Sequence, residues 1–324
     1  MEIYKIVLTG GPCAGKTTAL SYISEYLKNE NIPFIMVPET ATEMIDDGMK
    51  FYPGFLYDFQ SIILEKQLSK EQIAEKYAKK FFKDKEKCVI IYDRGIIDNK
   101  AYLNNKDLFN KLLFEHNIDE INTLDEYDLV INLLSLANCN PSLYSLNNKA
   151  RMENVLEACK LDKITSNVWA NHTNLKLINS SILLNDEMKI VINYIDDLLK
   201  GRQTSEIKRY ELNDNLSDYS IYDNNISQAL NITDYYIDLK NNYTNVISKR
   251  ELNEFTSYVF TCYKEKDGIK TIIFNKKINK SECFDLLKKN GIIHKSERKE
   301  INFIENNQKY TICFYDDETI LEID

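Results

Sequence analysis

The sequence is short of the residues that break chains, with 9 glycines and 5 prolines in 324 residues and no proline beyond Pro141. So small a supply excludes a collagen and a Pro/Gly-rich disordered chain; 44% hydrophobic and 28% charged residues is ordinary folded composition. No run approaches the roughly 18 uninterrupted apolar residues of a membrane helix, and no membrane association is expected. The opening MEIYKIVLTGG holds only a short apolar strand before a glycine turn, so a secretory signal is not expected either. Cysteines number seven, an odd and scattered set without a CxxC pair. That excludes a small disulfide scaffold and points to free thiols in a reducing cytoplasm. Positive charge is in deficit, 41 Lys+Arg against 50 Asp+Glu for a net −9. General nucleic-acid binding is therefore not expected, and any phosphate would sit in a local basic pocket.

What is present divides in two. Up to about residue 200, short apolar runs alternate with helical spacing: Ile3–Thr9, Phe34–Val37, Cys88–Tyr92, Leu129–Leu134 and Leu175–Ile178 read as strands. Thr17–Asn29, Phe55–Lys80, Arg151–Trp169 and Met188–Leu199 read as helices. Such alternation predicts an α/β domain, a parallel sheet with helices on both faces. After Gly201 the reading is strand after strand: Ile207–Leu212, Ile232–Leu239, Val246–Leu252, Tyr258–Lys264, Thr271–Ile278 and Tyr310–Tyr315. One helix interrupts them, Ser281–Lys289, with Ser281 as its expected N-cap. This predicts a separate, mostly antiparallel β domain, with residues 1–201 and 202–324 as the two domains.

The densest signal is Gly10-Gly11-Pro12-Cys13-Ala14-Gly15-Lys16-Thr17, followed by Thr18, which fits GxxxxGK[ST] at every fixed position. It follows a strand and opens a helix, the setting in which backbone N–H groups and a helix N-terminus cradle phosphates. Lys16 is expected on the β- and γ-phosphates and the Thr17 hydroxyl on Mg²⁺. ATP or GTP with Mg²⁺ is the expected cofactor set.

Two carboxylates belong to the same argument. Glu39 follows the second strand, whose C-terminal end lines the ligand crevice of such sheets, where a carboxylate can take a proton from an attacking hydroxyl. Asp93 ends the third strand as the expected metal-side carboxylate, and Arg94 beside it supplies a fixed cation for transferring charge. Asp98 follows one helical turn later. The sole tryptophan, Trp169, reads as core, and His116 and His172 have no companion metal ligands.

These residues carry a resemblance. The glycine loop, Val37-Pro38-Glu39-Thr40-Ala41, Phe59-Gln60 and Tyr92-Asp93-Arg94-Gly95, with Asp98 and Ala101-Tyr102, resemble the AAA_28-type P-loop ATPase/kinase family. That family is itself similar to nicotinamide-riboside kinases and more distantly to deoxynucleoside kinases. The match continues through Tyr144, Asn148, Arg151, Glu153, Glu157-Ala158, Asp162, Trp169 and His172. The resemblance implies Glu39 as catalytic base, Gln60 on an acceptor ring, Arg94 and Asp98 at the acceptor, and Arg151 as a lid arginine over the transferring phosphate.

The second domain resembles a CYTH, or triphosphate-tunnel, domain through Glu206-Ile-Lys208-Arg-Tyr210, Ile232-Thr-Asp234-Tyr-Tyr236-Ile237, Ser248-Lys249-Arg250, Phe260-Thr261-Cys-Tyr263-Lys264 and Lys295-Ser-Glu297-Arg298. The helix at Ser281–Lys289 and the closing Leu321-Glu322-Ile323-Asp324 add to it. The family's opening charges fall on Glu206, Lys208 and Tyr210, so two of three are missing, and Tyr263 stands where a lysine is usual. The expectation is a tunnel-derived domain that binds, regulates or scaffolds. The leading reading of the chain is an Mg²⁺-dependent transfer of the γ-phosphate of ATP to a small, nucleoside-like hydroxyl acceptor. A nucleotide-state switch acting on the second domain or a partner is the alternative, and triphosphate processing in the tunnel a third.

Overall fold

The computed structural model describes residues 1–135, 155–179, 184–202, 205–212 and 228–324. The chain forms two compact units. The first holds Met1–Ile118, Leu129–Trp169 and Leu175–Ile195; the second holds Asp119–Asp128, Ala170–Asn174 and Asp196–Asp324. The chain thus enters the second unit twice before passing into it for good at Asp196, a few residues before the division expected at 201/202.

In the first unit β1 (Glu2–Thr9), β2 (Phe34–Val37), β3 (Lys87–Asp93), β4 (Leu129–Leu133) and β5 (Leu175–Ile178) make a parallel sheet in the order β2-β3-β1-β4-β5. All five residues of β4 and the middle five of β3 are buried, which is why they read as unbroken apolar runs rather than alternating ones. The helices are α1 (Lys16–Asn29), α2 (Thr40–Asp46), α3 (Leu56–Phe81), α4 (Asp98–Leu103), α5 (Lys106–Glu115), α7 (Val155–Val168) and α8 (Leu184–Leu199), with α6 (Glu120–Asp125) falling in the second unit. Strand order turns around at β1, whose two neighbours are β3 and β4. Crevices at such a point, outside the C-terminal strand ends, are where open α/β sheets take ligands. Thr9, Val37, Asp93 and Leu133 are those ends.

In the second unit eight antiparallel strands close a barrel: β6 (Ser205–Glu211), β7 (Leu230–Ile237), β8 (Thr244–Leu252), β9 (Phe255–Lys266), β10 (Ile269–Ile278), β11 (His294–Glu305), β12 (Gln308–Phe314) and β13 (Thr319–Ile323). The inward face is identified by Ile207 of β6 and Tyr236 of β7, which both pack on one cluster of Val246, Tyr263 and Ile272, although β7, β8 and β9 are not ladder neighbours of β6. With a side-chain period of two, Arg209 therefore points inward and Glu206, Lys208 and Tyr210 are exposed, correcting the register in which the family's opening charges were placed on those three. The interior does carry charge, but in opposed pairs. Arg298 meets Asp234 and, at 2.9 Å, Glu300. Arg209 lies 2.8 Å from Glu265 and 3.1 Å from Glu322, and Lys270 is 4.0 Å from Glu322.

Helix α9 (Lys280–Asn290) packs through Cys283, Leu286 and Leu287 against Ile237, Ile247 and Ile278. Its N-cap is Asn279, not Ser281. The Asn279 side chain accepts from Glu282 N at 2.9 Å, while Glu282 Oε2 accepts from Asn279 N at 2.7 Å, a closed capping box. Asn279→Ala should cost the barrel about 1 kcal/mol, read as a lower midpoint in denaturant unfolding, whereas Ser281→Ala should leave it unchanged.

Candidate functional site

β1 delivers the chain at Thr9 into a loop that only glycine can form at its first two positions. Gly10 has φ +137°, and a Cβ there would lie 2.0 Å from the Leu133 carbonyl oxygen. A Cβ on Gly11 would lie 2.6 Å from Asp162 Oδ1, which instead accepts the Gly11 N–H at 2.9 Å. Asp162, fully buried on α7, also takes the Ser135 N–H at 3.1 Å, and the Ser135 hydroxyl donates to the Pro12 carbonyl. Cys13 and Gly15 take left-handed φ of +58° and +82°, and Gly15 caps α1. The loop is thereby fixed from the β4 and α7 side. Lys16 opens α1 and curls back, its Nζ donating to Gly10 O at 3.2 Å and Gly11 O at 3.4 Å. Thr17 and Thr18 follow in the first turn, with Thr17 exposed.

Across the loop stands a compact charge cluster. Arg94 has φ +71°, a conformation costly for a side chain of its size, and the surroundings hold it there. Its N–H donates to Leu8 O at 3.0 Å and its carbonyl accepts from Gln67 Nε2 at 3.3 Å. The guanidinium donates through Nε to Glu39 Oε1 and through Nη1 to Gly10 O at 3.2 Å, and stacks over Tyr102 at 5.5 Å. Glu39 also accepts from the Thr42 hydroxyl at 2.9 Å. Burial alone would raise the Glu39 pKa, but Arg94 and Lys16 overcome it and hold the carboxyl at about 2. Burial, reinforced by Arg94, lowers Lys16 to about 8, against the pull of Glu39, Asp93 and Asp98. Asp93 moves upward, from burial and from Glu39 and Asp98 nearby.

Asp93 Oδ1 is buried and, among the described residues, has no hydrogen-bond partner. A buried carboxylate oxygen left unpaired is costly, and a hard cation is the natural partner. Carboxylate and hydroxyl oxygens such as those of Asp93 and Thr17 suit Mg²⁺, which usually takes one or two protein ligands and completes its shell with phosphate and water. Among the described residues no cluster of three His, Cys, Asp or Glu side chains could hold a metal by itself. The residues present therefore fit a nucleotide-borne Mg²⁺, which Asp93 and Thr17 would hold and which would neutralise charge at the phosphates.

The structure brings Lys16, Glu39, Asp93, Arg94 and Asp98 together, as each acts on its neighbours' charge. Asp98 is committed inward: it accepts from the Thr9 hydroxyl at 2.5 Å, Gly95 N at 2.8 Å and Trp169 Nε1 at 3.2 Å. It braces the turn that presents Arg94. Gln60 is buried on α3, and the residue of that face that reaches the cluster is Gln67, two turns on. Arg151, with Tyr144, Asn148 and Glu153, lies outside the described residues. Asp162 and Gln67 had no assigned role in the sequence. Both left a trace there: Asp162 falls within the family match, and Gln67 lies seven positions after Gln60 on the same helix face.

Because Lys16 sits near 8 in the free protein, nucleotide affinity should be flat below pH 8 and fall above it, as the lysine gives up the proton that an anion needs opposite it. A single proton sets the limit at about tenfold per pH unit. A titration of nucleotide affinity from pH 6.5 to about 9.5 reads this, and a flat curve throughout would remove Lys16 from the contact.

No curated protein matches the chain. Among solved structures, the PH1819 protein from Pyrococcus horikoshii OT3 is similar at 16% identity and a TM-score of 0.30, over 37% of this chain and 76% of that one. The family model AAA_28, described as an AAA domain, matches residues 5–181, which takes in the glycine loop, Glu39, the Asp93–Asp98 turn and Asp162. With more than half its length under that match, the chain belongs to the AAA_28 family of AAA domains.

Proposed function

We propose that the chain is an Mg²⁺-dependent phosphotransferase that moves the γ-phosphate of ATP to a small, nucleoside-like hydroxyl acceptor. The observation that carries this reading is the carboxylate–guanidinium pair Glu39–Arg94 held against the Gly10 carbonyl. A loop that only grips nucleotide has no need of a carboxylate at its far side, whereas transfer to a hydroxyl needs a proton acceptor there. In this reading Lys16 contacts the β- and γ-phosphates, and Arg94 shares itself between Glu39 and the transferring group, stabilising charge as it moves. The Glu39 carboxyl is ionised throughout the physiological range, the form a base must have. GTP in place of ATP fits the same loop.

The test is a pool of nucleosides, nicotinamide riboside and other small hydroxyl metabolites, incubated with protein, ATP and Mg²⁺ and searched by mass spectrometry. A phosphorylated product supports the proposal. If no acceptor stimulates nucleotide turnover, the second reading takes over, a nucleotide-state switch with slow hydrolysis. That reading draws on the Arg94 pairing, which at about 2 makes Glu39 a weak base. Triphosphate processing in the barrel is the reading least favoured, since the inward Arg209, Lys270 and Arg298 each face carboxylates already.

A further inference from the structure

Two stretches of chain leave the nucleotide unit and return to it, and one arginine of the barrel holds both. Arg250 on β8 is 4% exposed, with Nη1 on Asp125 and Nη2 on the Asn171 carbonyl oxygen. Asp125 ends α6, whose Ile121 packs into the inward-facing cluster of Leu230, Ile232 and Leu252. Lys277 adds donors to Asn122 O at 3.2 Å and to Glu126 at 2.7 Å. Around Asn171, Asn302 Nδ2 donates to its side chain at 3.1 Å and Lys309 Nζ to His172 O at 2.9 Å. The two stretches are also tied to each other. His172 Nδ1 accepts from Asn174 N, which leaves the proton on Nε2 to be donated to Tyr127 O at 2.9 Å, and Asn174 Nδ2 donates to Asp128 O at 2.7 Å.

From these anchors the chain runs directly to opposite sides of the candidate site. Beyond Asp128 lies β4, buried along its whole length, whose Leu133 carbonyl abuts Gly10 and whose continuation, Ser135, holds Pro12 and Asp162. Before Ala170 lies Trp169, fully buried, bonded to Asp98 and packed so closely on Gly95 that a Cβ there would lie 2.7 Å from the ring. One lead therefore ends on the phosphate loop and the other on the turn that carries Arg94.

We propose that Arg250 is a positioning residue for the nucleotide site, setting the spacing of the phosphate loop and the Arg94 turn through Asp125–β4 and Asn171–Trp169. This rests on the nucleotide-site reading above. It gives the barrel a role that its eroded tunnel charges do not: whatever alters the Arg250 clamp alters both walls of the site.

The experiment compares Arg250→Gln with Arg209→Gln, which breaks another barrel ion pair, with Glu265 and Glu322, and contacts neither lead. ATP affinity and backbone hydrogen exchange are measured in the full chain. Arg250→Gln should weaken ATP binding by about five- to 150-fold, the usual span of site-to-site coupling, and speed exchange in residues 10–17 and 93–98 together. Arg209→Gln should leave both readouts as in the parent. The proposal is overturned if Arg250→Gln binds within twofold of the parent with unchanged exchange in those segments, or if Arg209→Gln does the same damage. Asp125→Asn, which removes one charge and keeps the shape, is judged by the same criteria if Arg250→Gln fails to fold. Exchange needs no turnover, so a parent that binds no ATP would sink the nucleotide reading while the coupling itself is still decided by the exchange pattern.

Discussion

Lys16→Met should give a folded protein with nucleotide turnover lowered by about 10²–10³-fold, the usual cost of removing one preorganised donor from developing phosphate charge. The native ammonium lies half-buried against Gly10 O and Gly11 O, beside Arg94, and pays for that with a pKa lowered to about 8. Methionine keeps the length of the stem and removes the charge, so thermal stability should hold or rise while the β- and γ-phosphates lose their cation. Steady-state turnover together with a thermal melt reads both halves. Turnover within twofold of the parent would remove the phosphate-loop mechanism.

Glu39→Gln should separate binding from transfer. Glutamine keeps the shape and can still meet Arg94 through its carbonyl oxygen, but it cannot take a proton. Acceptor-dependent phosphorylation should fall by about 10²–10⁴-fold, the general-base contribution, with ATP affinity close to the parent's. The variant should also melt lower, because Arg94 is left as a buried cation without its carboxylate. Transfer within twofold of the parent would show that Glu39 positions Arg94 and does not take the proton.

The sequence shows the first unit clearly, because its information is local. All five strands are short apolar runs, and the phosphate loop is a fixed string between a strand and a helix. Glu39 and Asp93 could be placed because strand ends face the crevice in a parallel sheet. What held these groups in place was not legible. Asp162 reaches Gly11 across 151 positions, and the strained φ of Arg94 depends on Leu8 and Gln67. No spacing rule reports such contacts. In the barrel, β11 carries no clear strand signal, because HKSERKEINFIE buries charges inside, where alternation of apolar and polar residues is the usual sign. The β6 register was off by one for the same reason, since Arg209 is inward and Tyr210 outward. Helix α6 is short, six residues, too brief for a periodic signal. Nothing local says that α6 and residues 170–174 pack with strands more than fifty residues further on.

That packing bears on how the chain is made. A ribosome delivers residues in order, so Ile121, Asp125 and Asn171 emerge well ahead of Leu230, Arg250 and Lys309, which cover and bind them. Through that interval the nascent chain carries an α/β sheet with two unfinished ends, each needing a partner not yet synthesised. Long-range pairings of this kind form late and leave apolar surface open to aggregation meanwhile. Cutting the gene at codon 201 would make that interval permanent, and such a fragment should be recovered chiefly from inclusion bodies.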